Sequence, residues 1–224
     1  MNYLILLKLL PYLKDDKIIS IKYLSEKINL DSKSIMDAIT PLIKEGYIEK
    51  FDDYIKTDYE SFMMASILAL KVGTALEELC KIVDWQDFES FIEKILIEYG
   101  YRTFRSFRIK RPRLEVDVLA LKTDFGLVVD CKQWRKTLSS STLNSIVMKQ
   151  VERAKIILSK EKVLLQNKFL VPVIVTLYPP PINFVDGVPI VPVERFKSFV
   201  SEIDGRLSEF LKVYFKDDKI FTKI

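Results

Sequence analysis

Two aspartates and a lysine interrupt strongly apolar segments near the middle of the chain. Asp117 lies within the run Leu114–Ala120, and Asp130 and Lys132 lie at the end of the run Leu127–Lys132. A charged side chain in a valine-rich strand is costly unless another charge pairs with it or it binds a metal ion. These residues therefore indicate either a buried ion network or a metal-binding centre.

The segment Lys122–Gly126 separates the two runs and predicts a hairpin turn. A two-residue turn at Thr123–Asp124 would place Asp117 opposite Asp130, and a shift of two residues would place it opposite Lys132. Because side chains alternate with period two, both registers put the three charged groups on one face. A slip of one residue would separate them, and the sequence alone leaves that alternative open.

Two predicted helices each offer one polar side chain to this region. In the helix Phe88–Tyr99, Glu89 falls at the edge of the apolar stripe. In the helix predicted at about residues 141–160, Gln150 lies in the middle of the apolar face. A buried amide needs a hydrogen-bond partner, so we expect Gln150 to point at the carboxylates.

The composition excludes several kinds of active site. The 224 residues include no histidine, which excludes a Ser-His-Asp or Cys-His nucleophile and a histidine-ligated zinc site. Cys80 and Cys131 are too few for a disulfide framework or a four-cysteine metal site. The six glycines form no phosphate-binding loop, so no nucleotide cofactor is expected.

The positive charge is concentrated in one segment. The whole chain has a net charge of +4, whereas residues 101–160 alone carry 14 basic and 5 acidic side chains. Residues 1–58 carry 9 basic and 10 acidic side chains and are therefore slightly negative. A polyanion would be attracted to the segment 101–160.

The first 58 residues predict three helices and a two-stranded ribbon. The helices are expected at about Asn2–Lys14, after the N-cap Ser20, and around Ser32–Glu45, with the ribbon at residues 47–56. This order resembles the winged helix-turn-helix family, which implies DNA contact through the third helix. Because the segment is slightly negative, contact with a protein partner or dimerisation is an equally weighted alternative.

The remaining chain predicts an α/β domain with a central mixed sheet flanked by helices. Residues 59–83 are expected to form a connecting helix, whose apolar part Phe62–Leu70 is a candidate dimer surface. Residues 84–224 then predict the order helix, three strands, helix, strand, helix and closing hairpin. No segment approaches the roughly 20 apolar residues of a membrane span, so a cytoplasmic location is expected.

Four features of residues 84–200 together resemble the PD-(D/E)xK nuclease superfamily. They are a helix glutamate, a strand aspartate, an Asp-x-Lys triplet and an inward glutamine on the next helix. The pattern is similar to that of archaeal Holliday-junction resolvases and methyl-directed, Mrr-like restriction endonucleases. Two positions depart from the superfamily pattern, because Val116 replaces its proline and Asp130 replaces a more common glutamate.

The resemblance implies a role for each of these residues. Asp117 and Asp130 would bind Mg²⁺, or Mn²⁺ in its place, with Glu89 as an accessory ligand, Lys132 as the catalytic lysine and Gln150 as a support. Hydrolysis of a phosphodiester needs an activated water and neutralisation of charge on the phosphate, and a carboxylate-held cation supplies both. A partly desolvated lysine can stabilise the developing anion.

DNA is the partner that this resemblance implies. Basic side chains near the carboxylate hairpin are predicted to contact its phosphates: Arg108, Arg111, Arg113, Arg135 and Lys136. Cutting both strands requires two active sites, which a two-fold homodimer supplies. The sequence thus predicts a Mg²⁺-dependent DNA endonuclease, and the alternatives are a non-catalytic DNA-binding regulator on a nuclease scaffold and a protein-interaction module.

Overall fold

The computed structural model describes residues 3–74, 76–79, 82–83, 85–132, 139–177, 180–216 and 219–224. The chain divides into two compact units, Met1–Phe91 and Ile92–Ile224. The division falls inside the helix α6 (Trp85–Glu98). The domain boundaries expected after residues 58 and 83 stay a prediction.

The first unit begins with helices and a small antiparallel sheet. In chain order the elements are α1 (Tyr3–Leu13), β1 (Lys17–Ser20), α2 (Ile21–Ile28), α3 (Ser32–Lys44), β2 (Glu49–Phe51) and β3 (Tyr54–Thr57). The strands pair in the order β1-β3-β2. The Ser20 side chain accepts a hydrogen bond from the Tyr23 N–H and caps α2, as expected, and Asp31 caps α3 in the same way through the Ser34 N–H. Strand β1 was not foreseen from the sequence.

Two more helices, α4 (Tyr59–Lys71) and α5 (Leu76–Leu79), follow in the first unit. Gly73 lies between them with φ 104°, a conformation that other residues rarely adopt, so the segment holds two helices instead of one. Helix α4 packs against α1, and its Phe62, Met63 and Ile67 side chains are at most 3% exposed. The expectation that Phe62–Leu70 forms a dimer surface is therefore wrong, because these apolar groups are already buried within the chain.

The second unit continues from α6 as a mixed α/β fold, as expected. Its elements are β4 (Arg102–Ile109), β5 (Leu114–Leu121), β6 (Phe125–Lys132), α7 (Ser140–Lys160), β7 (Phe169–Thr176), β8 (Phe184–Val185), β9 (Val188–Pro192), α8 (Val193–Arg206), β10 (Lys212–Lys216) and β11 (Lys219–Lys223). The sheet order is β11-β10-β7-β6-β5-β4, and β9 also pairs with β7. The β6–β7 and β7–β9 pairs are parallel, and the other pairs are antiparallel.

The core of the second unit lies between α7 and the sheet. Leu143, Val147 and Leu158 of α7 pack in one apolar cluster with Val128 of β6 and Ile174 of β7. Strand β6 is buried from Phe125 to Cys131 because it runs through the middle of the sheet. This packing fixes the relative positions of α7 and β6, which carry the candidate site. Within the described ranges, no helix combines the length and apolar character needed to cross a lipid bilayer.

Candidate active site

The β5–β6 hairpin adopts the first of the two predicted registers. Its last registered pair is Val118 with Val129, so the next position places Asp117 opposite Asp130. The strands are joined by the predicted two-residue turn at Thr123–Asp124. Directly opposite residues of an antiparallel pair project to the same face. The hairpin therefore brings both aspartates together.

Strand β5 is not paired at Asp117 with either of its neighbouring strands. The β5–β6 ladder stops at Val118, next to Asp117. In the β4–β5 ladder the residue opposite Asp117 is Ser106, which is unpaired and has φ 48°. A left-handed conformation at a residue other than glycine costs of order 1 kcal/mol, and such residues are found preferentially at functional sites. The Asp117 Oδ2 atom accepts a hydrogen bond from the Cys131 N–H at 2.6 Å, which anchors the carboxylate to the neighbouring strand.

Asp130 is only 2% exposed and lies between two cations. Its Oδ1 accepts a hydrogen bond from Arg153 Nη1 at 2.7 Å. The Lys132 Nζ forms an ion pair with Oδ2 at 2.8 Å, and this buried oxygen accepts no hydrogen bond from the described residues. A buried carboxylate oxygen with unused hydrogen-bonding capacity is an unusual feature.

The folded protein disfavours the charged form of the Asp117 carboxyl relative to the same group in water. Burial raises its pKa above the ordinary value of 3.8, and the negative charge of Asp130 raises it further. The hydrogen bond from the Cys131 N–H and the positive charges of Lys132 and Arg153 act in the opposite direction. Burial prevails because desolvation disfavours a charged carboxylate.

We expect an Asp117→Asn variant without bound metal to be more stable than the parent near neutral pH. The unfolded chain releases the Asp117 proton as the pH rises through 3.8, whereas the folded chain releases it at a higher pH. The stability contributed by this group therefore falls as the pH rises across that window. Asparagine avoids the loss and can still accept from the Cys131 N–H.

Urea unfolding in EDTA, from about pH 7 down to about pH 4, measures this difference. The advantage of the variant should shrink as the pH falls. A variant less stable than the parent across the whole range would show that the charged carboxylate stabilises the metal-free fold.

Gln150 is fully buried and ties α7 to two strands. Its Nε2 donates to the carbonyls of Val128 at 2.7 Å and Val173 at 3.3 Å. Its Oε1 accepts from Arg153 Nη1 at 3.1 Å, and the same Nη1 also reaches Asp130. The expectation that the amide points directly at the carboxylates is therefore wrong, because backbone carbonyls take its donors and Arg153 makes the link.

A Gln150→Leu substitution is expected to lower the free energy of unfolding by about 1–3 kcal/mol. The apolar side chain removes two donors to buried carbonyls and one acceptor for Arg153, and leaves those groups with fewer partners. Met148→Leu, at a position 60% exposed on the same helix, is the matched control. Chemical denaturation should separate the two variants, and equal stability would mean that the Gln150 hydrogen bonds contribute nothing net.

Arg153 was not singled out by the sequence reasoning. It lies three residues after Gln150 and therefore on a neighbouring position of the same helix face. This spacing was the available signal, but a charged residue at a helix edge usually extends into solvent. Here the guanidinium joins Gln150 to Asp130.

The other predicted site residues are placed as follows. Glu89 lies in α6, is 8% exposed and belongs to the first compact unit, and its role as a metal ligand stays a prediction. In the part of the chain that the structure describes, no group of three or more Asp, Glu, Cys and His side chains is arranged to hold a metal. Asp117 and Asp130 lie opposite each other in the second unit, and Arg135 and Lys136 lie outside the described residues.

Three of the arginines predicted to contact DNA lie in or beside the turn that joins β4 to β5. Arg111 and Arg113 are exposed in the turn between the strands and form no ion pair with any described residue. Arg108 is also exposed, but its Nη2 lies 3.0 Å from Glu115 Oε1, which partly neutralises it. The turn therefore presents two uncompensated positive charges.

Comparison with known proteins supports a nuclease-like domain. The family model Mrr_cat, described as a restriction endonuclease, matches residues 80–163, which include the carboxylate hairpin and α7. A search of curated proteins found no match.

Two solved structures are similar at low identity. The small subunit of the heterodimeric restriction endonuclease R.BspD6I is 15% identical, with 56% of this chain and 80% of that chain covered and a TM-score of 0.31. Protein VC1899 from Vibrio cholerae is 13% identical, with 93% of this chain covered and a TM-score of 0.33, and the chain spans about half (53%) of its length. The family match supports a restriction-endonuclease-like PD-(D/E)xK fold for residues 80–163.

Proposed function

We propose that the chain is a divalent-metal-dependent DNA endonuclease, with Mg²⁺ as the metal and Mn²⁺ able to replace it. The observation that carries the proposal is the pairing of Asp117 and Asp130 where the sheet ladders break, with the Lys132 ammonium 2.8 Å from Asp130. The arrangement lies inside the region that matches the restriction endonuclease family. Carboxylates and a lysine are the groups from which a metal-dependent hydrolase is built.

The side chains present fit a hard divalent cation. Two carboxylates supply oxygen ligands, and Mg²⁺ usually keeps several waters, so one or two protein carboxylates suffice. The Oδ2 atom of Asp130 is buried and accepts no hydrogen bond from the described residues. Burial, and to a smaller extent the negative charge of Asp130, raise the pKa of Asp117, and a bound cation would offset both penalties on the charged form.

Each residue of the site then has a distinct task. A bound divalent cation would supply Lewis-acid activation of a water and neutralise charge on the phosphate. Asp117 and Asp130 are held rigidly because one accepts from the β6 backbone and the other is bonded to Arg153. The Lys132 ammonium is available to stabilise negative charge that develops on the phosphate or the leaving oxygen. Gln150 keeps Arg153 in place.

Phosphate contact is proposed for the turn of the β4–β5 hairpin. An Arg111→Ala, Arg113→Ala double variant is expected to bind all DNA sequences more weakly, because phosphate contacts carry no sequence information. The slope of log K against log salt should fall by about 0.9 for each phosphate that is no longer neutralised. Fluorescence anisotropy at several salt concentrations measures it, with Arg206→Ala as the control, since Arg206 is paired with Glu202 and Glu209. An unchanged slope would show that the two arginines are merely solvated.

We further propose that residues 1–58 form a winged helix-turn-helix that selects or positions substrate. The order of α1 to β3 and the three-stranded sheet β1-β3-β2 support this proposal. Helix α3 would be the element that enters the DNA, while its slightly negative surroundings favour a protein partner as the alternative. A homodimer is part of the proposal, since it would supply one active site for each DNA strand. A cytoplasmic location is also part of the proposal.

The proposal is tested with a panel of linear, junction, flap and methylated DNAs incubated with Mg²⁺ or Mn²⁺. Metal-dependent cleavage of at least one substrate by the parent and none by Asp117→Asn is expected. DNA binding without cleavage of any substrate would instead assign the chain to the non-catalytic regulators. Neither binding nor cleavage would favour a protein-interaction module.

A further inference from the structure

The C-terminal hairpin carries a row of lysines on one face. In the β10–β11 register Lys212 lies opposite Lys223, Tyr214 opposite Phe221 and Lys216 opposite Lys219. These six residues occupy every second position of the two strands. Because side chains alternate between the faces of a strand, all six project from the same face of the hairpin. We call these six residues the lysine face.

Four lysines give the lysine face its positive charge, and the two residues between Lys216 and Lys219 are aspartates, Asp217 and Asp218, which lie outside the described residues. None of its four lysines forms an ion pair with a described residue, and three of them, Lys216, Lys219 and Lys223, are exposed. Like charges directly opposite each other on paired strands are destabilising, and this face contains two such pairs. An anionic ligand would remove that repulsion.

An aromatic pair lies between the two lysine pairs. The rings of Tyr214 and Phe221 are stacked with centroids 5.7 Å apart, and Phe221 is 40% exposed. On the opposite face of the hairpin, Val213 is fully buried in the apolar core beside α7. The lysine face therefore looks away from that core and presents an aromatic surface flanked by positive charges.

This surface is separate from the candidate metal site. Strand β10 joins the sheet through the pair Val213 and Leu170, near the start of β7. Asp130 lies beside Ile174, four residues further along the same strand, or about 13 Å away. The chain of β10 runs antiparallel to β7, so the tip of the hairpin extends away from Asp130.

We propose that the lysine face binds single-stranded nucleic acid. Two lysine pairs four residues apart span about 13 Å along the hairpin, which suits an extended polyanion better than a compact anion. An exposed ring between positive charges is the arrangement on which unpaired bases stack while the backbone follows the charges. The proposal rests on the proposed function for its role, which is to hold an unpaired strand outside the metal site, but the binding requires no metal.

Protection of the sheet edge is an alternative role for these lysines, and the experiment distinguishes it from nucleic-acid binding. Strand β11 is at the edge of the sheet, and lysines on edge strands discourage pairing with another chain. If edge protection were their whole role, removing them would cause self-association and leave nucleic-acid binding unchanged.

The experiment measures fluorescence anisotropy of a labelled oligothymidylate, and of a duplex of equal length, with the full chain in EDTA. Lys216→Gln with Lys219→Gln is expected to weaken binding of the single strand about tenfold and to lower its salt slope by about 1.4. Phe221→Ala should weaken it about tenfold with little change in slope, because stacking carries no charge. The matched control is Lys149→Gln with Arg206→Gln, since Lys149 is exposed on α7, Arg206 is paired with Glu202 and Glu209, and neither belongs to the lysine face or to the proposed DNA contacts.

Thermal melts and size-exclusion chromatography accompany each variant. Removal of like-charge pairs should leave the melting temperature unchanged or higher, and Lys219→Gln with Lys223→Gln provides a second charge variant. The proposal is overturned if the hairpin variants bind the single strand as the parent does, if they only self-associate, or if Phe221→Ala has no effect and duplex binding falls equally. Cleavage is scored separately in Mg²⁺, so a chain that binds through the hairpin but never cuts DNA would refute the nuclease and leave this inference standing.

Discussion

Lys132→Met is expected to lower DNA cleavage about 10²–10³-fold while metal binding is retained. The Lys132 Nζ lies 2.8 Å from Asp130 Oδ2 and is about one-third exposed, so it contacts the carboxylate without being needed to bury it. Its proposed task is to stabilise the anion that forms during hydrolysis. Loss of one such charge removes roughly 3–4 kcal/mol of transition-state stabilisation.

Asp130→Asn provides the contrast that separates the two roles. This variant loses a proposed metal ligand, so both Mn²⁺ binding and cleavage should disappear. Isothermal titration with Mn²⁺ and a single-turnover cleavage assay measure the two properties on the same preparations. If Lys132→Met loses Mn²⁺ binding together with cleavage, or if it cleaves like the parent, the proposed role of Lys132 is wrong.

The second large effect is expected at Arg153, where methionine should tighten Mn²⁺ binding about tenfold. Arg153 places a positive charge 2.7 Å from Asp130 Oδ1, and a cation bound to the same carboxylate is repelled by that charge. A difference of about 1.4 kcal/mol corresponds to a factor of ten in affinity.

The same substitution should destabilise the metal-free fold by about 1–3 kcal/mol, because Asp130 and Gln150 each lose a donor. Arg153→Lys keeps the positive charge and is the matched control, which should bind Mn²⁺ like the parent. Calorimetry and urea unfolding measure the two effects. Weaker Mn²⁺ binding by Arg153→Met would mean that the guanidinium orients Asp130 for the metal instead of competing with it.

The sequence predicted the carboxylate hairpin well because local rules determine it. A short turn between two apolar runs sets the register, and the alternation of side chains then places Asp117 opposite Asp130. The buried face of α7 was also predictable, since Leu143, Val147 and Leu158 recur at helical spacing.

The contacts of Gln150 and Arg153 could not be predicted in the same way. The carbonyls that Gln150 contacts lie 22 and 23 residues away in sequence, on two strands whose adjacency depends on the tertiary fold. Strand β1 was missed for a similar reason. It has four residues, and its pairing with β3 joins positions far apart in the chain.

The burial of α4 also depends on tertiary packing. Phe62 and Met63 form an apolar patch that sequence alone cannot assign to a subunit interface or to the chain's own core. Packing of α4 against α1 places them in the core. The proposed homodimer would therefore use another surface.

The most direct test of the proposed chemistry is cleavage of supercoiled plasmid by the parent chain and by Asp130→Asn, purified in parallel and assayed in Mg²⁺ and in EDTA. The proposed metal centre predicts nicked or linear product with the parent in Mg²⁺, and none with the variant or in EDTA. Equal product from parent and variant would contradict it, because the cleavage would then come from groups other than the Asp117 and Asp130 pair.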